Sequence, residues 1–157
     1  MNKEKLTDIV RDFLDEKGYH YEYDAERSVL RLGFNLKCKL KDVRVFMHIR
    51  DTAYSVLTLC PLNADKDNPV EMMKYLTMAN YGLVNGNFEM DLNDGEIRYK
   101  TYVDADGLET IPEVIIDWSL CVGIAMMDRF GNGIAALALG FSDAETEFKK
   151  VQEKQER

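Results

Sequence analysis

A short segment between residues 88 and 101 constrains the fold most, because its turn residues and its charges specify the same strand pairing. Asp94 and Gly95 are flanked by alternating apolar residues, a strong signal for a β-hairpin with a two-residue turn. This turn predicts four cross-strand pairs: Leu92 with Ile97, Asp91 with Arg98, Met90 with Tyr99, and Glu89 with Lys100. One face of the hairpin is then apolar and the other carries opposite charges, which predicts an antiparallel sheet with a solvated face.

The remaining sequence predicts helices and strands on both sides of this hairpin. Apolar residues at helical spacing, followed by Gly18, predict a first helix over about residues 3–17. Apolar alternation or continuous apolar sequence predicts four strands, at 19–23, 30–37, 43–50 and 54–62. The last of these is apolar on both faces, so we expect it to be more central than the strand before it.

Three segments resemble the starts of helices, each with a capping residue followed three positions later by glutamate. They begin at Asn68, Thr110 and Ser142, and the first predicts a helix that ends near Gly82. The order is therefore helix, four strands, helix, two strands, helix, helix. This order predicts an α+β fold, an antiparallel sheet with helices packed on it. We expect residues 1–141 to form a single domain and residues 142–157 to form a charged C-terminal tail helix.

The helix predicted after Thr110 is apolar almost all the way round between Val114 and Met127. A helix of this kind is buried on both sides, whereas one sheet face covers only one side. A second copy of the chain is the favoured cover, as a twofold homodimer. Its predicted interface consists of Trp118, Val122 and Met126. Alternatively, the glycines at 131 and 133 end the helix near Phe130 and reverse the chain, so that residues 134–141 cover the exposed side.

Charge argues against nucleic acid as a partner. The chain has 20 lysines and arginines against 28 aspartates and glutamates, a formal net charge of −8, which repels a phosphate backbone. Several basic residues, among them Arg31 and Arg44, lie in predicted strands, where alternation places them on a solvated sheet face. The sequence therefore predicts no nucleic-acid partner.

Apolar segments and cysteines indicate where the chain acts. The longest uncharged run, residues 130–142, is shorter than the roughly 20 residues that cross a bilayer, so we expect no membrane partner. The first residues lack the apolar segment of a secretory signal, which predicts a cytoplasmic protein. Cys38, Cys60 and Cys121 are odd in number and lie in apolar surroundings, which is typical of reduced core thiols.

Residues of the kind that carry out catalysis are few and scattered. His20 and His48 lack a second ligand at a metal-binding spacing, and the turn at Asp104 lacks the later ligands of a calcium loop. The sequence therefore predicts no enzyme, no metal and no cofactor. Methionines in the second helix favour either ordinary core packing or an adaptable surface for a protein partner. The candidate partner-binding surface consists of Met72, Met73 and Leu76.

Two runs around the hairpin resemble the central signature of the YbjN-type family. They are Ala79-Asn80-Tyr81-Gly82-Leu83 and Gly86-Asn87-Phe88-Glu89-Met90-Asp91, followed by the strand from Asp94 to Lys100. Members of this family are described as bacterial sensory transduction regulators. The resemblance implies a fold similar to type III secretion chaperones, which are small, acidic, homodimeric proteins that bind other polypeptides without catalysis.

Together, the residues and the resemblance predict a non-enzymatic, cytoplasmic interaction module. It acts as a chaperone-like or regulatory adaptor that binds another, unknown polypeptide as a homodimer. The alternative is a small-molecule-binding regulator whose pocket lies between the sheet and the methionine-rich second helix.

Overall fold

The computed structural model describes residues 1–155 and contains the predicted elements in the predicted order. The four helices are α1 (Lys3–Glu16), α2 (Val70–Tyr81), α3 (Glu113–Ala138) and α4 (Ala144–Gln155). The six strands are β1 (Glu22–Asp24), β2 (Val29–Asn35), β3 (Asp42–Ile49), β4 (Ala53–Leu59), β5 (Asn87–Met90) and β6 (Ile97–Asp104). The α+β prediction is confirmed.

All strand pairs in the sheet are antiparallel, and the strand order is β1-β2-β3-β4-β6-β5. The chain leaves the sheet after β4 to form α2 and returns at the far edge with β5. Strands β3 and β4 are third and fourth of the six, so they share the centre of the sheet, and the prediction that β4 is the more central of the two is wrong. The buried residues of β3 alternate, with Val43, Val45 and Met47 facing the helices. Helices α1, α2 and α3 cover this face, and the opposite face carries the charged residues.

The hairpin forms, but its predicted register is wrong by two residues. Met90 pairs with Ile97 and Glu89 pairs with Arg98, so residues 91–96 form a longer loop. Gly95 has a φ of +80°, and its amide donates to the carbonyl of Asp91. A shift of two residues keeps each side chain on its predicted face, because alternation in a strand has a period of two. Glu89 therefore still meets basic side chains, Arg98 at 2.8 Å and Lys100. Leu92 is instead exposed in the loop.

Helix α3 continues to Ala138, so the chain reversal considered at residues 131–133 is wrong, as is the predicted helix end near Phe130. The glycines allow close packing instead of a turn. A Cβ atom at Gly131 would lie 2.6 Å from the Cys38 sulfur, and one at Gly133 would overlap the Tyr75 hydroxyl. Asn132 accepts a hydrogen bond from the Lys39 amide at 2.9 Å, which holds the β2–β3 loop against the helix.

The predicted capping boxes do not form, and Glu71 has a different role. Helix α2 begins after Pro69 and α3 after Pro112, in both cases without a side-chain cap. Glu71 instead accepts a hydrogen bond at 2.9 Å from the amide of Ala144, the first residue of α4. Asp143, rather than Ser142, caps α4 through the amide of Thr146. A contact between distant helices has replaced the predicted local one.

Helix α4 packs on α2 and on the second half of α3. Its residues Ala144 and Val151 are buried and belong to the same core as the sheet. The predicted tail, residues 142–157, is thus helical over Ala144–Gln155, and residues 156 and 157 lie outside the described part. The division of the chain after residue 141 remains a prediction, although α4 shares the core.

Candidate functional site: an apolar surface on α3

The first half of α3 carries an apolar surface that the other described elements leave partly exposed. Its most exposed members are Val114, Ile115 and Trp118, at 69%, 42% and 40% exposure. Val122 and Met126 continue the same side of the helix and are half-buried. Their spacings of three and four residues place them on one side of the helix. We name the surface formed by Val114, Ile115, Trp118, Val122 and Met126 the α3 stripe.

Buried polar contacts on the opposite side of α3 fix which residues point outward. The Ser119 hydroxyl lies 2.9 Å from the Tyr54 hydroxyl of β4 and donates to the carbonyl of Ile116. The Thr101 hydroxyl of β6 donates to the Ser119 carbonyl at 2.9 Å. These bonds hold one rotation of the helix over the sheet, because breaking them would leave buried polar groups unpaired. Trp118 is therefore held on the outer side.

Close backbone packing supports the same orientation. Gly123 lies over Thr58, where a Cβ atom would overlap the threonine hydroxyl oxygen. Burial raises the pKa of Tyr54 to about 12, partly offset by its hydrogen bond with Ser119, so this hydroxyl stays protonated at neutral pH. The inner side of α3 is thus closely packed on the sheet, whereas Val114, Ile115 and Trp118 on the outer side remain exposed.

The α3 stripe ends after Met126, because the next residue at a spacing of four, Phe130, lies on the inner side of α3, seven residues from Gly123. Phe130 is buried there, its ring edge-on to Tyr75 at a centroid distance of 6.1 Å. Phe148 of α4 meets the same tyrosine at 6.5 Å. At the other end, Lys17 of α1 pairs with Glu113 at 3.0 Å. The stripe is therefore a bounded surface with a charged start and a covered end.

The candidate partner-binding residues on α2 do not share one surface. Met72 and Leu76 are buried in the core, whereas Met73 is 43% exposed. The outer side of α2 instead presents Val70, Met73 and Tyr81, which lie at helical spacing. Tyr81 is 96% exposed although its neighbour Asn80 is structural, with two hydrogen bonds to the backbone of Phe88. A partner surface formed by all three predicted residues requires the core to open.

The alternative function, a small-molecule regulator, requires a pocket between the sheet and α2. That space is occupied by the buried side chains of Met72, Tyr75, Leu76 and Ala79. A groove of about 680 Å³ does involve α2, but it lies between α2, α3 and α4. Met78, Phe130 and Phe148 supply its apolar wall, and Arg129 and Gln152 its polar part.

Chemically reactive groups are dispersed in the described residues. Within residues 1–155, no three histidines, cysteines or carboxylates are placed to hold a metal ion. His20 and His48 lie apart, on the chain entering β1 and on β3. Burial raises the pKa of the Cys60 thiol to about 11, and it also raises those of Cys38 and Cys121. These thiols are therefore protonated and weakly nucleophilic at neutral pH. No helix in this part of the chain is long and apolar enough to cross a membrane.

The fold and the surface together define a class, an α+β module with one helix-covered sheet face and an uncovered apolar helix side. The family model described as "YbjN: Putative bacterial sensory transduction regulator" matches residues 7–136. The chain belongs to the YbjN family, as the runs around the hairpin indicated. No curated protein matches the sequence.

The fold is also similar to a solved structure, "Crystal structure of YbjN, a putative transcription regulator from E. coli". The TM-score is 0.62 at 11% sequence identity, and the match covers 83% of this chain and 91% of that chain. At this identity the likeness establishes a shared fold. The predicted similarity to type III secretion chaperones stays a prediction.

Proposed function

We propose that this chain is a non-enzymatic, cytoplasmic regulatory adaptor, which forms a homodimer through the α3 stripe and binds another polypeptide. The observation that carries the proposal is the exposure of Trp118 on a helix whose opposite side is pinned by Ser119 and Gly123. Large exposed apolar surfaces on ordered elements are typical of interaction sites. Membership of a family of sensory regulators agrees with an adaptor role.

The arrangement of the α3 stripe suits a twofold interface. In such an interface both copies use the same residues. If one residue of the first copy contacts a second residue of its partner, the reverse contact forms as well. Trp118 and Met126 each lie four residues from Val122. Two antiparallel α3 helices that cross at Val122 would therefore place Trp118 of one protomer against Met126 of its partner. A thioether packs favourably against an aromatic ring, so this pairing adds to the apolar area buried.

A stable dimer requires an interface of sufficient area. A stable interface buries about 800 Å² on each partner. The five residues of the α3 stripe supply the apolar centre of this interface. Large aromatic residues at the centre of an interface carry most of its binding energy. Trp118 is accordingly the residue whose loss should weaken the dimer most.

Sedimentation equilibrium tests the dimer. The wild-type chain should be a dimer at about 10 µM, and Val122→Glu should be a monomer because two buried carboxylates would face each other. Val84→Glu is the matched control, since Val84 is fully exposed in the loop after α2. Because Val122 is half-buried, Trp118→Ser is a second disrupting variant, and circular dichroism verifies that each variant is folded. A wild-type monomer at this concentration would disprove the dimer.

We place the polypeptide partner on the outer side of α2, where Met73 and Tyr81 are exposed. Native mass spectrometry of gently purified protein should reveal a bound polypeptide that is retained by wild type and lost from a Met73→Asp, Tyr81→Asp variant. Thr77→Asp lies on the same side and adds charge without removing apolar area, so it should retain more of the partner. Equal retention by all three chains would contradict this placement.

A further inference from the structure

The sheet face that the helices leave uncovered contains a hollow lined by two arginines. The hollow measures about 730 Å³ and lies across β1, β2 and β3. Its lining includes Tyr21, Arg31, Gly33, Arg44 and Phe46. The strand registers explain the hollow, because Gly33 is the cross-strand partner of Arg44 and has no side chain to fill the space. A Cβ atom at Gly33 would meet nothing within 4 Å.

The two arginines in this hollow differ in their electrostatic environment. Arg31 donates to Asp24 at 2.9 Å and lies across from Glu22, so acidic neighbours already offset its charge. Arg44 has no carboxylate within 4 Å among residues 1–155. The charge of Arg44 is therefore not offset by a direct ion pair with the described residues of the hollow. Its planar guanidinium has donors that match an oxyanion in a bidentate manner.

An aromatic side chain forms a wall beside Arg44. Phe46 lies two residues further along the same strand, on the same sheet face. Tyr21 borders the hollow at the chain entering β1, but its side chain lies on the helix-covered side, where its hydroxyl accepts a hydrogen bond from the Arg11 side chain of α1 at 3.3 Å. The hollow therefore combines an anion-binding group with apolar ring surface, the usual combination in sites for small organic ligands.

The geometry points to a binding site for a small organic anion in this hollow, on the side of the sheet opposite α3. The guanidinium of Arg44 holds a carboxylate or phosphate group, and the carbon part of the ligand lies over Gly33 beside Phe46. Glu22 at the rim disfavours an anion beside Arg31 and so directs the charged group to Arg44. This inference does not depend on the dimer or on the polypeptide partner.

Two variants separate this site from non-specific attraction of anions. Arg44→Gln removes the charged donors but keeps a side chain of similar length. Gly33→Val fills the hollow, and a β-branched residue at an open strand position is compatible with the fold. Arg50→Gln is the matched control, because it removes the same charge from an exposed position just after β3, outside the hollow.

The probes are phenyl phosphate and benzoate, added to the full chain at constant ionic strength and followed by amide NMR shifts. Both should shift the amides of Gly33 and Arg44, with dissociation constants of about 10 mM or lower. Arg44→Gln and Gly33→Val should each weaken binding about tenfold, and Arg50→Gln should change it less than twofold. The absence of shifts with both probes, or equal binding by all variants, would overturn the proposal. Binding of an aspartate-rich peptide alone would overturn it too and would assign the face to a macromolecule.

Discussion

The two halves of α3 resemble each other in apolar composition but differ in what covers them. The first half presents Trp118 and Val122 to the surface, whereas on the same side of the second half Gly133 is buried and Ala136 is half-buried. Helix α4 accounts for the difference, because it packs on the second half and on α2. The chain thus covers one half of its apolar helix itself and leaves the other half accessible. An apolar helix surface that the chain itself leaves exposed needs a functional explanation.

Truncating one large aromatic residue in each half gives the largest expected contrast. Phe130→Ala should lower the free energy of unfolding by about 4 kcal/mol, because the ring is buried and contacts Tyr75 and Phe88. Trp118→Ala should lower it by about 1 kcal/mol in the monomer, since that ring is partly in water. Urea unfolding at a protein concentration too low for association measures both. Equal losses would show that Trp118 belongs to the core.

Unfolding at alkaline pH tests the burial of the Tyr54 hydroxyl, which lies beneath the first half of α3. The folded-state pKa of Tyr54 is about 12, against an ordinary value of 10.0, because burial disfavours the phenolate. The folded state therefore holds this proton more tightly than the unfolded state. The associated stability is complete below pH 10 and is lost as the pH rises to about 12, by about 3 kcal/mol in total.

The Tyr54→Phe variant isolates this effect. Its free energy of unfolding should fall less steeply between pH 10 and 12 than that of wild type, as measured by urea unfolding at several pH values. Tyr102→Phe, on the exposed side of β6, is the control and should retain the wild-type slope. Identical slopes for all three chains would mean that Tyr54 is accessible to water.

Adding one methyl group to the second half tests how tightly it is covered. Gly133→Ala should destabilise the fold by about 2 kcal/mol, because its Cβ atom would overlap the Tyr75 ring. Tyr75 cannot easily move, since its buried hydroxyl donates to the carbonyl of Phe130 at 3.0 Å. Gly82→Ala is the control, because a Cβ atom there meets nothing within 4 Å. Thermal unfolding of both variants measures the difference, and equal melting temperatures would show that the packing adapts.

Local sequence patterns predict much of this arrangement. Alternating apolar residues identify the strands, and the doubly apolar segment by itself locates the α3 stripe. The errors concern contacts between distant residues. The glycines at 131 and 133 suggest a turn, because nothing local reveals that Cys38 and Tyr75 lie against them. The predicted hairpin register assumes a two-residue turn, whereas residues 91–96 form a longer loop that also accepts a hydrogen bond from outside, from the Ala64 amide to the Gly95 carbonyl.

In the candidate sites, too, the features that depend on neighbouring residues are predictable and those that depend on distant contacts are not. The positions of Trp118, Val122 and Met126 follow from helical periodicity, which depends on neighbouring residues only. The burial of Met72 and Leu76 depends on which side of α2 meets the sheet, and their sequence spacing does not specify this. The hollow at Arg44 is not predictable in the same way, since it requires the register that places Gly33 beside it. The signal that could reveal it is the single glycine within an otherwise alternating strand.

The smallest predicted effect concerns the hydrogen bond that attaches helix α4 to α2. The pKa of Glu71 is lowered by the hydrogen bond from the Ala144 amide and by Lys74. The ionised carboxylate is therefore the form that holds α4, and this contribution is lost as the pH falls through the folded-state pKa. Glu71→Gln should make amide hydrogen exchange in α4 faster at neutral pH. It should also remove the loss of protection in α4 that protonation of Glu71 causes as the pH falls. Glu145→Gln, in the exposed first turn of α4, should leave exchange near the wild-type rate.

Because α4 covers only the second half of α3, exchange in the first half should not change in either variant. If exchange increased along the whole of α3, the two halves would open together, and the first half could not serve as an independent interaction surface.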